Sequence, residues 1–182
     1  MIVTPRIALR IALLILLGVI LQLSFFSRVS VLGTSPDVLP VLVVCLGLLG
    51  GAVVGAVCGF AVGLLVDSAL LQTLGVSSLV LLTAGYLAGR YREGFDISNP
   101  LIPPALAGGL TLFAATGFAA VQLMLGVEAP ISLLVLRELV VQAILGFVLA
   151  FPIYPVVRRV LRAALVEDAP RRGRIPIPFR TA

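Results

Sequence analysis

The chain has 182 residues, of which 60% are apolar and only 12% are charged, and its formal net charge is +5. A soluble domain has about 25% charged residues, and a 19.0 kDa chain cannot bury this much apolar surface in one soluble core. The composition therefore excludes a soluble enzyme, a disordered chain and a disulfide scaffold, and it predicts a membrane protein. Because the sequence has no His, it also excludes His-based catalysis and a His-ligated metal site, and we expect no cofactor.

The first predicted element is a membrane anchor over residues 7–26. Arg6 and Arg10 precede or open an aliphatic run, as in a signal peptide. The residues that follow the run, Leu23–Arg28, are too bulky for a cleavage site. We therefore expect this segment to stay in the protein.

The next apolar run, Val38–Val66, has no charged residue. As one helix it would be about 43 Å long, whereas the hydrocarbon core of a bilayer is about 30 Å thick. Gly50 and Gly51 lie near its middle and favour a turn there. We predict two short helices, 38–49 and 52–66, which either cross the bilayer twice or form a re-entrant hairpin.

Three further apolar runs complete the predicted membrane domain, residues 1–162. They are bounded by charged residues or by Pro and Asn. The runs cover residues 74–89, 101–127 and 131–157. We predict that residues 163–182 form a basic, Pro-containing tail outside the membrane.

The placement of the basic residues predicts the topology, because cytoplasmic segments near membrane helices carry the excess of basic residues. Arg6 and Arg10 put the N-terminus inside, and the Arg-rich C-terminal part puts the other terminus inside. The chain must then cross an even number of times. We predict an all-α, polytopic protein with about six transmembrane helices and both termini in the cytoplasm.

Four glycines recur at every fourth position in and directly before the predicted third helix: Gly51, Gly55, Gly59 and Gly63. Such spacing leaves a shallow groove along one helix face, and small residues let helix backbones approach closely in lipid. Each Gly costs about 1 kcal/mol relative to Ala in a helix, so four in register indicate a packing purpose. The groove either packs against another helix of this chain or docks a helix of a partner.

Charged residues at membrane depth form the second signal. Asp67 closes the third predicted segment, and Arg137 lies inside the sixth. An unpaired charge in hydrocarbon costs at least about 2.5–3.5 kcal/mol. We predict an Asp67–Arg137 ion pair, with a proton or substrate relay and ordinary interfacial placement as the alternatives.

The basic residues after the last apolar run begin with Arg158, Arg159 and Arg162. Anionic cytoplasmic lipid attracts such residues with about 1 kcal/mol per Arg near the surface. We interpret these three as a cytoplasmic basic anchor that contacts membrane lipid, and we expect no nucleic acid partner.

Several motifs, in this order and spacing, resemble the MreD family of bacterial rod shape-determining membrane proteins. The resemblance covers about residues 7–162. It rests on five stretches of sequence: Pro36–Leu39, Gly59–Asp67, Gly75–Leu79, Gly85–Arg90 and Phe151–Arg159. The turn at Gly50–Gly51 lacks the basic residue that the family resemblance leads us to expect there.

The resemblance implies a non-enzymatic protein of the bacterial cytoplasmic membrane with a fold similar to the substrate-binding subunits of energy-coupling vitamin transporters. It implies a single-span MreC-like protein as the direct partner. Through that partner it implies indirect links to MreB, to RodA and to a class B penicillin-binding transpeptidase. The expected function is then a scaffold that helps to organise lateral peptidoglycan synthesis and rod shape.

A different function remains open from the residues alone, namely a vitamin-binding subunit of an energy-coupling transporter. Such a site needs polar or aromatic groups that converge near the outer face. The chain has no Trp, and its three Tyr lie near the cytoplasmic ends of the predicted helices. Retention of a stoichiometric small molecule on purification would favour this alternative.

Overall fold

The computed structural model describes residues 5–24, 36–71, 75–95, 101–124 and 133–167. All regular secondary structure in these ranges is α-helical, so the all-α prediction is confirmed. The described ranges contain six helices: α1 (Pro5–Ser24), α2 (Val38–Gly50), α3 (Ala52–Leu70), α4 (Val76–Gly94), α5 (Ile102–Met124) and α6 (Leu133–Glu167).

Three of these helices are long and apolar enough to cross a bilayer. They are α3, α5 and the part of α6 from Arg137 to Leu161. The Ala8–Ser24 part of α1 and the whole of α2 are apolar but shorter. The lengths and compositions are those of a membrane protein, and the count of six crossings stays a prediction.

Several helices extend beyond the ends that the apolar runs predict. Asp67 lies within α3, and Arg90 lies within α4, although both were expected to end their segments. α6 continues to Glu167 through the position where the tail was expected to begin, and it also continues through Pro152 and Pro155. A charged residue ends an apolar run but not a helix, because its side chain leaves the backbone hydrogen bonds of the helix intact; Arg also has high helix propensity.

The central helix is α2, which contacts each of the other five helices. Its residues from Val38 to Leu48 are all buried. A helix that is apolar on every side is buried on every side, and the sequence of α2 contains only apolar residues and glycine after Asp37. At 13 residues it is about 20 Å long, which is shorter than the helices around it.

The turn between α2 and α3 is formed by Gly51, whose φ of +96° lies in the left-handed region that favours glycine. Arg92 donates a hydrogen bond to the carbonyl of Leu49. Glu93 Oε1 accepts a hydrogen bond from the backbone N–H of Ala52 at 3.0 Å. The end of α4 therefore closes this turn. The turn is present both if residues 38–66 cross the bilayer twice and if they form a re-entrant hairpin.

Candidate functional site

Polar side chains from three separate parts of the chain meet where α2 begins. Gln22 lies on α1, Asp37 directly precedes α2, and Gln142 lies on α6. We call these three residues the polar cluster. The end of α1 and the beginnings of α2 and α6 lie at the same end of the bundle, which brings the three side chains together.

Asp37 is the centre of the polar cluster. Gln22 Nε2 donates hydrogen bonds to Asp37 Oδ1 at 2.9 Å and to the carbonyl of Pro36 at 3.2 Å. Gln142 Nε2 donates to Asp37 Oδ2 at 2.9 Å. Because both carboxylate oxygens accept an amide N–H, Asp37 ties α1 and α6 to the start of α2.

The start of α2 explains why Asp37 is available for these contacts. The first N–H groups of a helix have no intrahelical partner, and a preceding Asp often accepts one of them. Here Asp37 makes no such capping bond. The N–H of Val38 instead donates to Gln22 Oε1 at 2.9 Å, so the carboxylate of Asp37 turns toward Gln142.

A cavity of about 380 Å³ lies beside the polar cluster. We call it the α2 cavity. Its walls come from α2, α3, α4, α5 and α6 and are mostly apolar, with polar groups from Asp37, Ser77, Thr111, Glu138 and Gln142. The cavity lies at the end of the bundle where the short central helix begins, and the longer helices around α2 continue past that point.

Neither the polar cluster nor the α2 cavity is predicted by the sequence. The available signal was the presence of amide side chains in predominantly apolar segments, Gln22 in the first and Gln142 in the sixth. Gln142 was visible as a mid-segment amide, for which an interhelical hydrogen bond is the usual role. Nothing in the sequence indicated that Asp37 is its partner.

The glycine face of α3 packs against α4. A Cβ at Gly55 would overlap the carbonyl oxygen of Gly85, and one at Gly59 would overlap that of Leu81. A Cβ at Gly63 would overlap the backbone of Ser78. The α3 surface formed by these three glycines is therefore covered by a helix of the same chain, whereas Gly51 lies in the turn before α3.

Asp67 and Arg137 are not brought together. Asp67 is 1% exposed, and its Oδ2 accepts a hydrogen bond from the backbone N–H of Gly75 at 2.8 Å. Arg137 is an exposed residue of α6. Among the described residues no ion pair joins them, because Asp67 caps the start of α4 instead.

The chain matches the family model of the rod shape-determining protein MreD over residues 6–164. The chain belongs to the MreD family. The resemblance seen in the sequence is thereby confirmed, and membership gives the chain a part in rod shape determination. No curated protein and no solved structure matches the chain, so the fold similarity to vitamin transporter subunits stays a prediction.

Two of the motifs that resemble MreD coincide with the features described above. Pro36–Leu39 forms the start of α2 and supplies the centre of the polar cluster. Gly59–Asp67 supplies the α3 surface that packs on α4. In this MreD chain both motifs therefore have a packing or hydrogen-bonding role.

The basic anchor of this MreD chain lies on the final part of α6. Arg158 and Arg159 are exposed there, and Arg162 follows on the same helix. Their contact with membrane lipid stays a prediction. Within the described ranges, Cys45 and Cys58 are free and buried, and no three metal-ligating side chains come together.

Proposed function

We propose that this chain is a non-enzymatic membrane scaffold of the bacterial cell-elongation machinery that binds MreC. The family match over residues 6–164 carries the proposal. By binding MreC, the chain helps to organise lateral peptidoglycan synthesis, with MreB, RodA and a class B penicillin-binding transpeptidase as indirect partners. The vitamin-binding alternative has no support from the family, whose description is that of a shape-determining protein.

The surface that would receive the MreC helix is one of the exposed apolar helix faces. Leu17 on α1, Val57 on α3 and Ile144 on α6 are each more than half exposed. In lipid, helices associate through close packing and hydrogen bonds, since lipid is as apolar as the side chains. The glycine face of α3 is a poor docking surface because α4 already covers it.

The orientation in the membrane is part of the same proposal. Arg90 and Arg92 lie at the end of α4 that closes the α2–α3 turn. Arg158 and Arg159 lie at the far end of α6 from Gln142, and so on the same side of the bundle as that turn. By the positive-inside rule this end faces the cytoplasm, which puts the α2 cavity toward the outer face of the cytoplasmic membrane.

Co-purification with cysteine cross-linking tests the scaffold. The full chain, with Cys45 and Cys58 replaced by Ala, is co-expressed with the single-span MreC-like protein of the same organism and purified in detergent. Single cysteines are then placed at Leu17, Val57 and Ile144. We expect a stable complex and cross-links from at least one of these positions.

The matched control is Val62→Cys, because Val62 is on α3 but is 0% exposed. It should give no cross-link while the complex still forms. MreC binding would be contradicted if no complex formed and none of the three exposed positions gave a cross-link.

A further inference from the structure

The α2 cavity carries acidic groups that no described basic side chain balances. Asp37 and Glu138 both line it, and none of its described lining residues is basic. Within the described ranges, no ion pair joins either carboxylate to an Arg. Ionisable groups within a membrane bundle are rare, they normally have a partner, and they mark functional sites. A cation is therefore the ligand that complements these two carboxylates among the described lining residues.

The geometry of α6 places the acceptors close to one another. Glu138 and Gln142 are four residues apart on this helix, so they lie on one face with their Cβ atoms about 5–6 Å apart. Gln142 also contacts Asp37, at 2.9 Å. The two carboxylates and Oε1 of Gln142 therefore place hydrogen-bond acceptors on the same side of the cavity. An ammonium group, which has three N–H donors and no acceptor, complements such a set.

The rest of the α2 cavity fits an apolar body. Leu81 of α4 and Ala115 and Phe118 of α5 line it. Its volume of about 380 Å³ lies within the range of about 300–1,000 Å³ for small-molecule pockets. At about 30 Å³ for each water-sized group, this volume holds about a dozen non-hydrogen atoms.

We propose that the α2 cavity binds an organic ammonium ion, whose nitrogen is held by Asp37 and Glu138 and whose apolar body packs against α4 and α5. A ligand that places an anionic group beside Asp37 and Glu138 does not fit, because that group would meet two carboxylates and no described basic side chain. The ammonium can belong to the ethanolamine head group of a membrane lipid or to a free amine. The experiment below separates these two sources.

Calorimetric titration of the purified full chain in detergent tests the proposal, with 2-phenylethylammonium as the probe. The neutral analogue 2-phenylethanol has the same size without the charge. We expect the amine to bind and the alcohol to bind at least about tenfold more weakly, because hydrogen bonds to charged groups are the stronger ones. Equal affinity for the two compounds would overturn the proposal.

Glu138→Gln removes one carboxylate from the mouth of the cavity while keeping the size of the side chain. This substitution should weaken binding of the amine by about tenfold. An unchanged affinity would also overturn the proposal. Arg137→Gln is the matched control, since Arg137 is exposed and adjacent in sequence but does not line the cavity. It should leave the affinity within about twofold, because solvent screens exposed charges.

Ala115→Leu fills the apolar part of the cavity and leaves both carboxylates in place. It should abolish binding of the amine, and a thermal unfolding midpoint close to that of the unaltered chain shows that the fold is kept. If a folded Ala115→Leu chain still binds the amine, the amine does not bind in the α2 cavity and the proposal is overturned.

Lipid competition then identifies the source of the ammonium. Phosphatidylethanolamine in the same micelles displaces the amine if a lipid head group is the natural ligand. Phosphatidylcholine serves as the control, because its quaternary nitrogen has no N–H to donate. Displacement by phosphatidylethanolamine alone supports the lipid source, and no displacement by either lipid supports a free amine.

Discussion

At the scale of single residues, Asp67 is a buried carboxylate of which only one oxygen has a hydrogen-bond partner among the described residues. Its Oδ2 accepts the N–H of Gly75, the residue just before α4. The N–H groups at a helix start lack intrahelical partners, and the helix dipole makes that end positive. The buried hydroxyl of Ser78, in the first turn of the same helix, has no hydrogen-bond partner among the described residues, so the N–H of Gly75 is the contact that α4 offers. Asp67 is therefore stabilised by α4 rather than by Arg137 of α6.

A double-mutant cycle on Asp67 and Arg137 tests this assignment. Arg137→Gln should change the free energy of unfolding by less than about 0.5 kcal/mol, as exposed substitutions usually do. Asp67→Ala should destabilise the chain by about 1–3 kcal/mol, because it removes the acceptor of the half-buried N–H of Gly75. The free energies are measured by SDS titration in mixed micelles.

The control in this cycle is Asp67→Asn, whose amide oxygen still accepts the N–H and which should therefore cost less than Asp67→Ala. The effect of Arg137→Gln should be the same in the unaltered chain and in the Asp67→Asn chain. A coupling energy above about 1 kcal/mol between the two sites would mean that they interact directly.

At the scale of helices, the pair α3 and α4 packs most closely. The approach is reciprocal, since a Cβ at Gly85 on α4 would overlap the carbonyl oxygen of Gly55 on α3. Small residues on both helices bring the two backbones into contact, and in lipid such packing is a main source of helix association. The four-residue glycine spacing thus serves an internal interface from Gly55 to Gly63.

Gly59→Ala tests this interface. The added Cβ would overlap the carbonyl oxygen of Leu81 on α4, so the helices must separate, at a cost of about 1–3 kcal/mol. Gly109→Ala is the matched control, because its Cβ meets nothing within 4 Å on α5. The control should be neutral or stabilise the chain by up to about 1 kcal/mol, as Ala favours a helix over Gly. Equal thermal unfolding midpoints for the two variants would show that the α3–α4 contact is loose.

The helices could be predicted from the sequence because four of the five apolar runs give one helix each, and glycine marks the turn that divides the run 38–66 into α2 and α3. The ends of the helices could not be predicted, because Asp67 and Arg90 interrupt the apolar runs but not the backbone hydrogen bonding. The turn at Gly51 contains no basic residue, yet Arg92 reaches it from α4. That contact depends on how α4 packs, and not on any local pattern.

The polar cluster could not be predicted from the sequence either, because it also depends on how the helices pack. Asp37 and Gln142 are separated by 105 positions, and no spacing rule connects residues so far apart. Each is a single polar residue whose partner becomes known only when α1, α2 and α6 are placed side by side. The glycine spacing, by contrast, indicated a packing face by itself and left open only which helix covers that face.

At the scale of the whole molecule, the two ends of the bundle differ in charge. The α2–α3 turn and the end of α4 carry Arg90 and Arg92. The opposite end holds the α2 cavity with Asp37 and Glu138. A bundle that is basic at one end and acidic at the other has a preferred orientation in a membrane, because basic residues stay on the cytoplasmic side.

Cysteine labelling in intact cells tests this orientation. Gly94 ends α4 at the basic end, Arg159 lies near the basic end of α6, and Met124 ends α5 at the cavity end and is 87% exposed. With Cys45 and Cys58 replaced by Ala, a membrane-impermeant maleimide should label Met124→Cys from outside the cell. It should label Gly94→Cys and Arg159→Cys only after the membrane is permeabilised. Labelling of all three after permeabilisation is the control for reactivity. If Gly94→Cys and Arg159→Cys were labelled from opposite sides, α4 and α6 could not end on the same side, and the proposed orientation would be wrong.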